Sequence, residues 1–133
     1  MSTKILLVED NAANRYLATF LLVSHGFDVV HASDGVEALD RAHTEQPDLI
    51  LMDIQMPRMD GYEAARRIKD TPALSGIPLV ALTSYAMAGD RDRALAAGFA
   101  AYIEKPIITE TFVAEVSRHL SPKPACPQAT TSA

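Results

Sequence analysis

Two periods of apolar residues alternate along the chain. Ile5-Leu6-Leu7-Val8, Leu49-Ile50-Leu51-Met52 and Leu79-Val80-Ala81-Leu82 are short unbroken apolar runs. Runs without polar alternation suit strands buried on both faces of a parallel sheet. Phe27-Asp28-Val29-Val30 and Ala100-Ala101-Tyr102-Ile103 are weaker strand candidates, placed nearer an edge.

Helical spacing fills the intervals. From about Ala12 to His25, Leu17, Phe20 and Leu21 fall on one face, and Gly26 supplies a stop. Asp34 with Glu37 predicts a capped helix carrying Ala38, Leu39 and Ala42. Asp60 with Glu63 repeats that signal before Tyr62, Ala65 and Ile68, and Glu63 and Arg67 stand four apart as a surface pair. Ala86 to Ala97, stopped by Gly98, reads as a fourth helix. Thr109 caps a fifth, with Phe112, Val113, Val116 and Leu120 on its apolar face. A βα unit repeated five times predicts an α/β fold with a parallel sheet, helices on both faces and right-handed crossovers. From 121 to 133 the chain is rich in proline and lacks apolar periodicity, which predicts a disordered tail after a single domain at 1–120.

Composition narrows the functional classes. The 133 residues are 48% hydrophobic, enough for one core without staples. The single cysteine, Cys126, argues for a reducing, cytoplasmic setting. No apolar run approaches the ~20 residues of a membrane span, and Met1-Ser2-Thr3-Lys4 does not open a signal peptide. A net charge of −5 argues against nucleic acid as a direct partner.

In open parallel sheets, ligands sit beyond the carboxyl ends of the strands. The first strand ends in Glu9-Asp10, the third in Asp53, the fourth in Thr83-Ser84 and the fifth in Glu104-Lys105-Pro106. The second offers only His31-Ala32-Ser33. Each has an ordinary explanation when taken alone. Asp53 would be a solvated strand end, and Glu9-Asp10 or Asn11 would cap the first helix. Thr83 would be a β-branched strand residue and Lys105 a surface amine. Together they are harder to dismiss, because crowded carboxylates repel unless cations offset them. Such a rim offers hard oxygen ligands for Mg²⁺, whereas zinc-type Cys/His spacing is absent. A carboxylate beside Mg²⁺ can attack phosphorus and become an aspartyl phosphate, with Lys105 and the Thr83 hydroxyl stabilising the transferring oxygens. No Gly-rich phosphate loop is present, so the phosphoryl donor comes from elsewhere.

These residues resemble those of response regulator receiver domains of two-component signalling, from about Lys4 to Leu120. The resemblance rests on Val8-Glu9-Asp10-Asn11, Leu51-Met52-Asp53-Ile54-Gln55-Met56-Pro57, Asp60-Gly61, Ala81-Leu82-Thr83 and Lys105-Pro106. It implies a flavodoxin-like (βα)5 fold with strand order 2-1-3-4-5, an order that comes with the family and not from the spacing. It implies phosphorylation of Asp53 by a histidine kinase or histidine phosphotransfer protein. The implied Mg²⁺ ligands are Asp10, Asp53 and the Gln55 carbonyl, with Glu9 acting mainly through water. Thr83 and Lys105 would contact phosphoryl oxygens, with a cis bond before Pro106 aiming the lysine inward. Tyr102 takes the aromatic switch position that works with Thr83, and its ordinary reading is a half-buried edge-strand aromatic. Ser84 and Tyr85 fall where the family tunes access to the phosphoryl group, and the bulk of Tyr85 is expected to slow hydrolysis.

The resemblance also implies a downstream protein partner on the face of helix four, strand five and helix five, and donor docking on helix one near Arg15 and Tyr16. No enzymatic turnover is expected beyond Mg²⁺-dependent self-phosphorylation and autodephosphorylation of Asp53. The starting Met and the short tail suggest a stand-alone regulator of the cell-division type. The alternatives are a receiver cut from a hybrid histidine kinase and an Asp-nucleophile phosphatase. The latter requires a second Asp where this chain has Gln55.

Overall fold

The computed structural model describes residues 3–54, 61–83, 95–104 and 109–118. Five strands, β1 (Lys4–Val8), β2 (Asp28–Ala32), β3 (Leu49–Asp53), β4 (Leu79–Thr83) and β5 (Ala101–Glu104), form one parallel sheet in the order β2-β1-β3-β4-β5. This is the expected doubly wound α/β arrangement. The unbroken apolar runs became β1, β3 and β4, and every residue of β3 and β4 is buried. The two weaker candidates lie at the edges. β2 extends further than its apolar residues suggest, because His31 and Ala32 continue the pairing with Leu7 and Val8.

Alternation along the strands divides the core. One face presents Ile5, Leu7, Leu49, Leu51, Val80, Leu82 and Ile103 to α1 (Ala12–Ser24) and to the C-terminal helix, Phe112–Arg118. The other presents Leu6, Val8, Ile50, Met52 and Ala81 to α2 (Gly35–Glu45) and α3 (Gly61–Asp70). Asn11 caps α1 by accepting from the Asn14 amide at 2.9 Å. That assigns the first cap to Asn11 and leaves the Glu9-Asp10 carboxylates for other work. Asp34 caps α2 as expected, accepting from Glu37 N at 2.9 Å, while the Glu37 carboxylate reaches back to Ser33 N at 2.7 Å.

Two helix expectations need correction. The buried face of α1 is Ala18, Leu21 and Leu22, whereas Phe20 is 58% exposed. Leu17 and Phe20 are three apart, but the sheet meets the helix one residue further round, where small Ala18 lets the backbone approach. At the last helix, Thr109 lies in a turn before the helical residues and hydrogen-bonds Glu110 through its hydroxyl. Thr111 occupies the cap position instead, its carbonyl accepting from Glu115 N at 2.9 Å. Of the expected fourth helix, Leu95, Ala96 and Ala97 are helical, and Gly98 follows with φ +110°. The expected cap Asp60, the rest of that helix, Leu120 and the 121–133 tail lie outside the described residues.

Candidate functional site

Parallel pairing carries the carboxyl ends of β1, β3 and β4 to the same rim. The β1–β3 register pairs Val8 with Met52, so Glu9 and Asp53 both emerge immediately beyond that last pair. One carboxylate oxygen each from Glu9, Asp10 and Asp53 lies within 4.8 Å of the others. Glu9 and Asp53 are buried and Asp10 is exposed. The β3–β4 register pairs Asp53 with Leu82, which brings buried Thr83 beside the acid cluster as the next residue of β4. Four of the expected site residues therefore meet on two central strands and the adjoining turn.

The local sequence explains how the turn holds two acids. Glu9 N donates to Ala32 O at 3.1 Å, extending the β1–β2 ladder past its formal end. The Glu9 carboxylate accepts from Asn11 N at 3.2 Å, which folds the side chain back over the turn. Asn11, by capping α1, fixes where the turn stops. Asp10, between these anchors, is left at the surface. Gathering three carboxylates and burying two is costly in desolvation and repulsion. A hard divalent cation with oxygen ligands offsets both costs, and the donor set here is entirely carboxylate. The residues present thus fit Mg²⁺, with Glu9, Asp10 and Asp53 each offering a carboxylate oxygen.

Tyr102 lies on β5, half-buried, packed against the core on the α2–α3 face and paired in register with Ala81. Its ring is placed on the strand neighbouring Thr83, one edge away from the acids. Gln55, Ser84, Tyr85, Lys105 and Pro106 lie outside the described residues.

Two contacts were not anticipated from the sequence. The Arg15 guanidinium donates through Nη1 to the Glu9 carbonyl at 3.1 Å. On the β2 side, His31 Nε2 and the Thr19 hydroxyl of α1 are 2.8 Å apart. Burial, then the neighbouring Arg15 and Arg41 charges, holds the His31 imidazole below its ordinary pKa. Arg15, Tyr16, Thr19, His31 and Ala12 line a groove of about 300 Å³ beside the acid turn. A signal for Arg15 was available: a cation in the first turn of a helix opposes the helix dipole and calls for a local reason. Tyr16, Phe20 and Val23 continue from this groove along the outside of α1, 74%, 58% and 54% exposed.

A five-stranded parallel sheet in this order, with an acid triad and a threonine at its carboxyl rim, defines a doubly wound α/β domain with an acidic site at the strand ends. The chain belongs to the response regulator receiver domain family, which it matches over residues 5–117. Among its relatives is the polar-differentiation response regulator DivK of Brucella ovis, 40% identical over 120 residues, covering 90% of this chain and 98% of the relative. The receiver domain of a sensor histidine kinase from Pseudomonas aeruginosa, solved with a magnesium ion in its active-site cleft, is 36% identical with a TM-score of 0.82, over 90% of this chain and 98% of that one. A receiver domain co-crystallised with a histidine phosphotransfer protein from Saccharomyces cerevisiae is 28% identical with a TM-score of 0.82, over 89% of this chain and 88% of the matched one.

Proposed function

We propose that this receiver takes a phosphoryl group on Asp53 from a phosphohistidine and signals by binding another protein in its phosphorylated form. The observation that carries this reading is the convergence of the Glu9, Asp10 and Asp53 carboxylates within 4.8 Å at the rim that Thr83 adjoins. An Asp53 carboxylate oxygen forms the new P–O bond while the donor's P–N bond breaks, and the imidazole nitrogen leaves with the electron pair. Bound Mg²⁺ supplies positive charge against the negative charge developing on the phosphoryl oxygens. Asp10 and Asp53 would hold the ion, the family resemblance adds the Gln55 carbonyl, and Glu9 would support it through water. The Thr83 hydroxyl would bond a phosphoryl oxygen, and the family resemblance gives the Lys105 ammonium the same role. Tyr102 reports the change by repacking as Thr83 moves. Ser84 and Tyr85 set access of water to the product.

The donor is a histidine kinase or a histidine phosphotransfer protein, as in the yeast co-crystal. Its docking face is α1, whose exposed Tyr16, Phe20 and Val23 recur at helical spacing next to the groove. The downstream protein reads the surface built by the helix ending at Ala97, β5 and the C-terminal helix. The chain has no phosphoester turnover beyond the cycle of its own aspartate. No described helix is long and apolar enough to cross a membrane, and a cytoplasmic setting agrees with that and with the lone Cys126.

Incubation with Mg²⁺ and acetyl phosphate is expected to place one hydroxylamine-labile phosphate on the wild type and none on Asp53→Asn. Absence of label on the wild type overturns the reading. In the same assay Tyr85→Ala is expected to lose label faster, and an equal or slower rate removes the access role. Matching nearly the full length of DivK supports action as a single-domain regulator. The likeness to a sensor kinase receiver favours a second reading, as the receiver segment of a hybrid kinase. An immunoblot of the native host separates the two: a 14.4 kDa band for the first, a much larger one for the second.

A further inference from the structure

We infer that Arg15 is a positioning residue for the metal site, holding the Glu9-Asp10 turn in ligand geometry from behind. The inference rests on the proposed Mg²⁺-dependent function and concerns a residue outside its ligand set.

Three observations converge on Arg15. It follows closely on the Asn11 cap, in the first turn of α1, where the helix dipole disfavours a cation and no acidic side chain of that turn compensates it. Its guanidinium turns back along the chain and donates to the Glu9 carbonyl at 3.1 Å. That carbonyl belongs to the peptide linking Glu9 to Asp10, the link between the buried acid and the exposed one. Two further ties act at the ends of this turn: Glu9 N to Ala32 O, and Asn11 N to the Glu9 carboxylate. Arg15 acts between them, on the central peptide, and fixes the plane from which the Asp10 side chain departs.

Charge and geometry make opposite predictions for this residue. A guanidinium near a cation site repels the cation, so its removal by charge alone tightens binding of every divalent ion. A guanidinium that orients a ligand turn strengthens binding, and does so most for an ion with strict geometry. Mg²⁺ demands a near-octahedral shell, whereas Ca²⁺ accepts irregular and larger ones. Loss of the tie must therefore weaken Mg²⁺ more than Ca²⁺.

Mg²⁺ and Ca²⁺ are titrated separately by calorimetry into the wild type, Arg15→Ala and Arg15→Lys, without any partner protein, so that docking on α1 plays no part. Thermal unfolding of each variant without metal confirms that it is folded, and Arg15→Gln replaces Arg15→Ala if the latter is not. Arg15→Ala is expected to lose about fivefold in Mg²⁺ affinity, the scale of one ordinary hydrogen bond, and about twofold or less for Ca²⁺. Arg15→Lys, which keeps a cationic donor, is expected to stay within about twofold of wild type for both ions. Unchanged or tighter Mg²⁺ binding by Arg15→Ala, or equal loss for both ions, overturns the positioning role. A wild type that binds no Mg²⁺ at all overturns instead the reading on which the role depends.

Discussion

Helices α1 and α3 lie on opposite faces of the same sheet and solve the problem of their outer surfaces differently. On α3, Glu63 accepts from Arg66 and Arg67, each at 2.9 Å, and the buried side is built from Ala64, Ala65 and Ile68. Charge faces water and small residues face the core. On α1, Leu21 and Leu22 are buried, yet Tyr16, Phe20 and Val23 remain in solvent, with no acid in the first turn and no base in the last. An exposed aromatic stripe gives a monomer no stability, so α1 carries a feature that its own fold does not explain. The helix that ignores its solvent face is the one that starts at the acid turn.

The sharpest test of this contrast pairs two positions on α1. Leu22→Ala empties a fully buried site and is expected to cost about 2–5 kcal/mol in urea unfolding. Phe20→Ser on the outer face is expected to change stability by less than about 0.5 kcal/mol, while slowing phosphotransfer from a histidine donor several-fold. A large stability loss from Phe20→Ser would mean that the stripe belongs to the fold after all.

On the opposite flank, α3 is constrained by what it touches. A methyl group added to Gly98 would lie 2.6 Å from Lys69 Cγ, at a φ of +110° that side chains rarely adopt. Lys69 has little freedom to retreat, because its ammonium donates to the carbonyls of Ser75 and Ile77. Gly98→Ala is expected to cost about 1–3 kcal/mol by thermal or urea unfolding. A neutral result would show that the α3 flank gives way more easily than its contacts indicate.

Smaller effects follow from titration, one on each flank. His31 faces Thr19 and Arg15 of α1 and Arg41 of α2, and its pKa lies below the ordinary 6.5 through burial, then Arg15, then Arg41. The unfolded chain thus binds this proton more tightly than the folded one. Stability is expected to fall as pH drops below about 6.5, flattening once the lowered native pKa is passed. His31→Gln should remove that slope, measured by urea unfolding at stepped pH. On α3, the Glu63 pKa is lowered from 4.5 by hydrogen bonds from Arg67 and then Arg66. The contribution of this pair is present above 4.5 and lost as pH falls through the lowered value. Because Glu63 and both arginines lie at the surface, salt should erase most of it, and Glu63→Gln should be nearly silent at high ionic strength.

The legible parts of the sequence are those where one residue type has one physical use. Unbroken apolar runs gave the three central strands, and Asp34 with Glu37 gave the start of α2. The acids stood out because strand ends are a poor place to gather carboxylates without a purpose. The rotation of α1 was hidden because Leu17-Phe20-Leu21 and Ala18-Leu21-Leu22 satisfy the same helical spacing. Only the close approach allowed by Ala18 decides between them. Thr109 and Thr111 are equally good caps, and the choice depends on where the backbone turns. The Arg15 tie spans a helix start and a strand end, a relation that side-chain spacing does not express.

The position of β3 within the sheet has a mechanical consequence. Asp53 rides on a strand held by β1 on one side and β4 on the other, with all five of its residues buried. β5 is paired on one side only and carries a half-buried tyrosine. Compliance therefore increases across the sheet from Asp53 toward that margin. Asp53 thus has the stiffest seat the sheet offers, and the margin at β5 is where the backbone has most room to give. The sheet is built as a beam clamped at its middle and free at its edge.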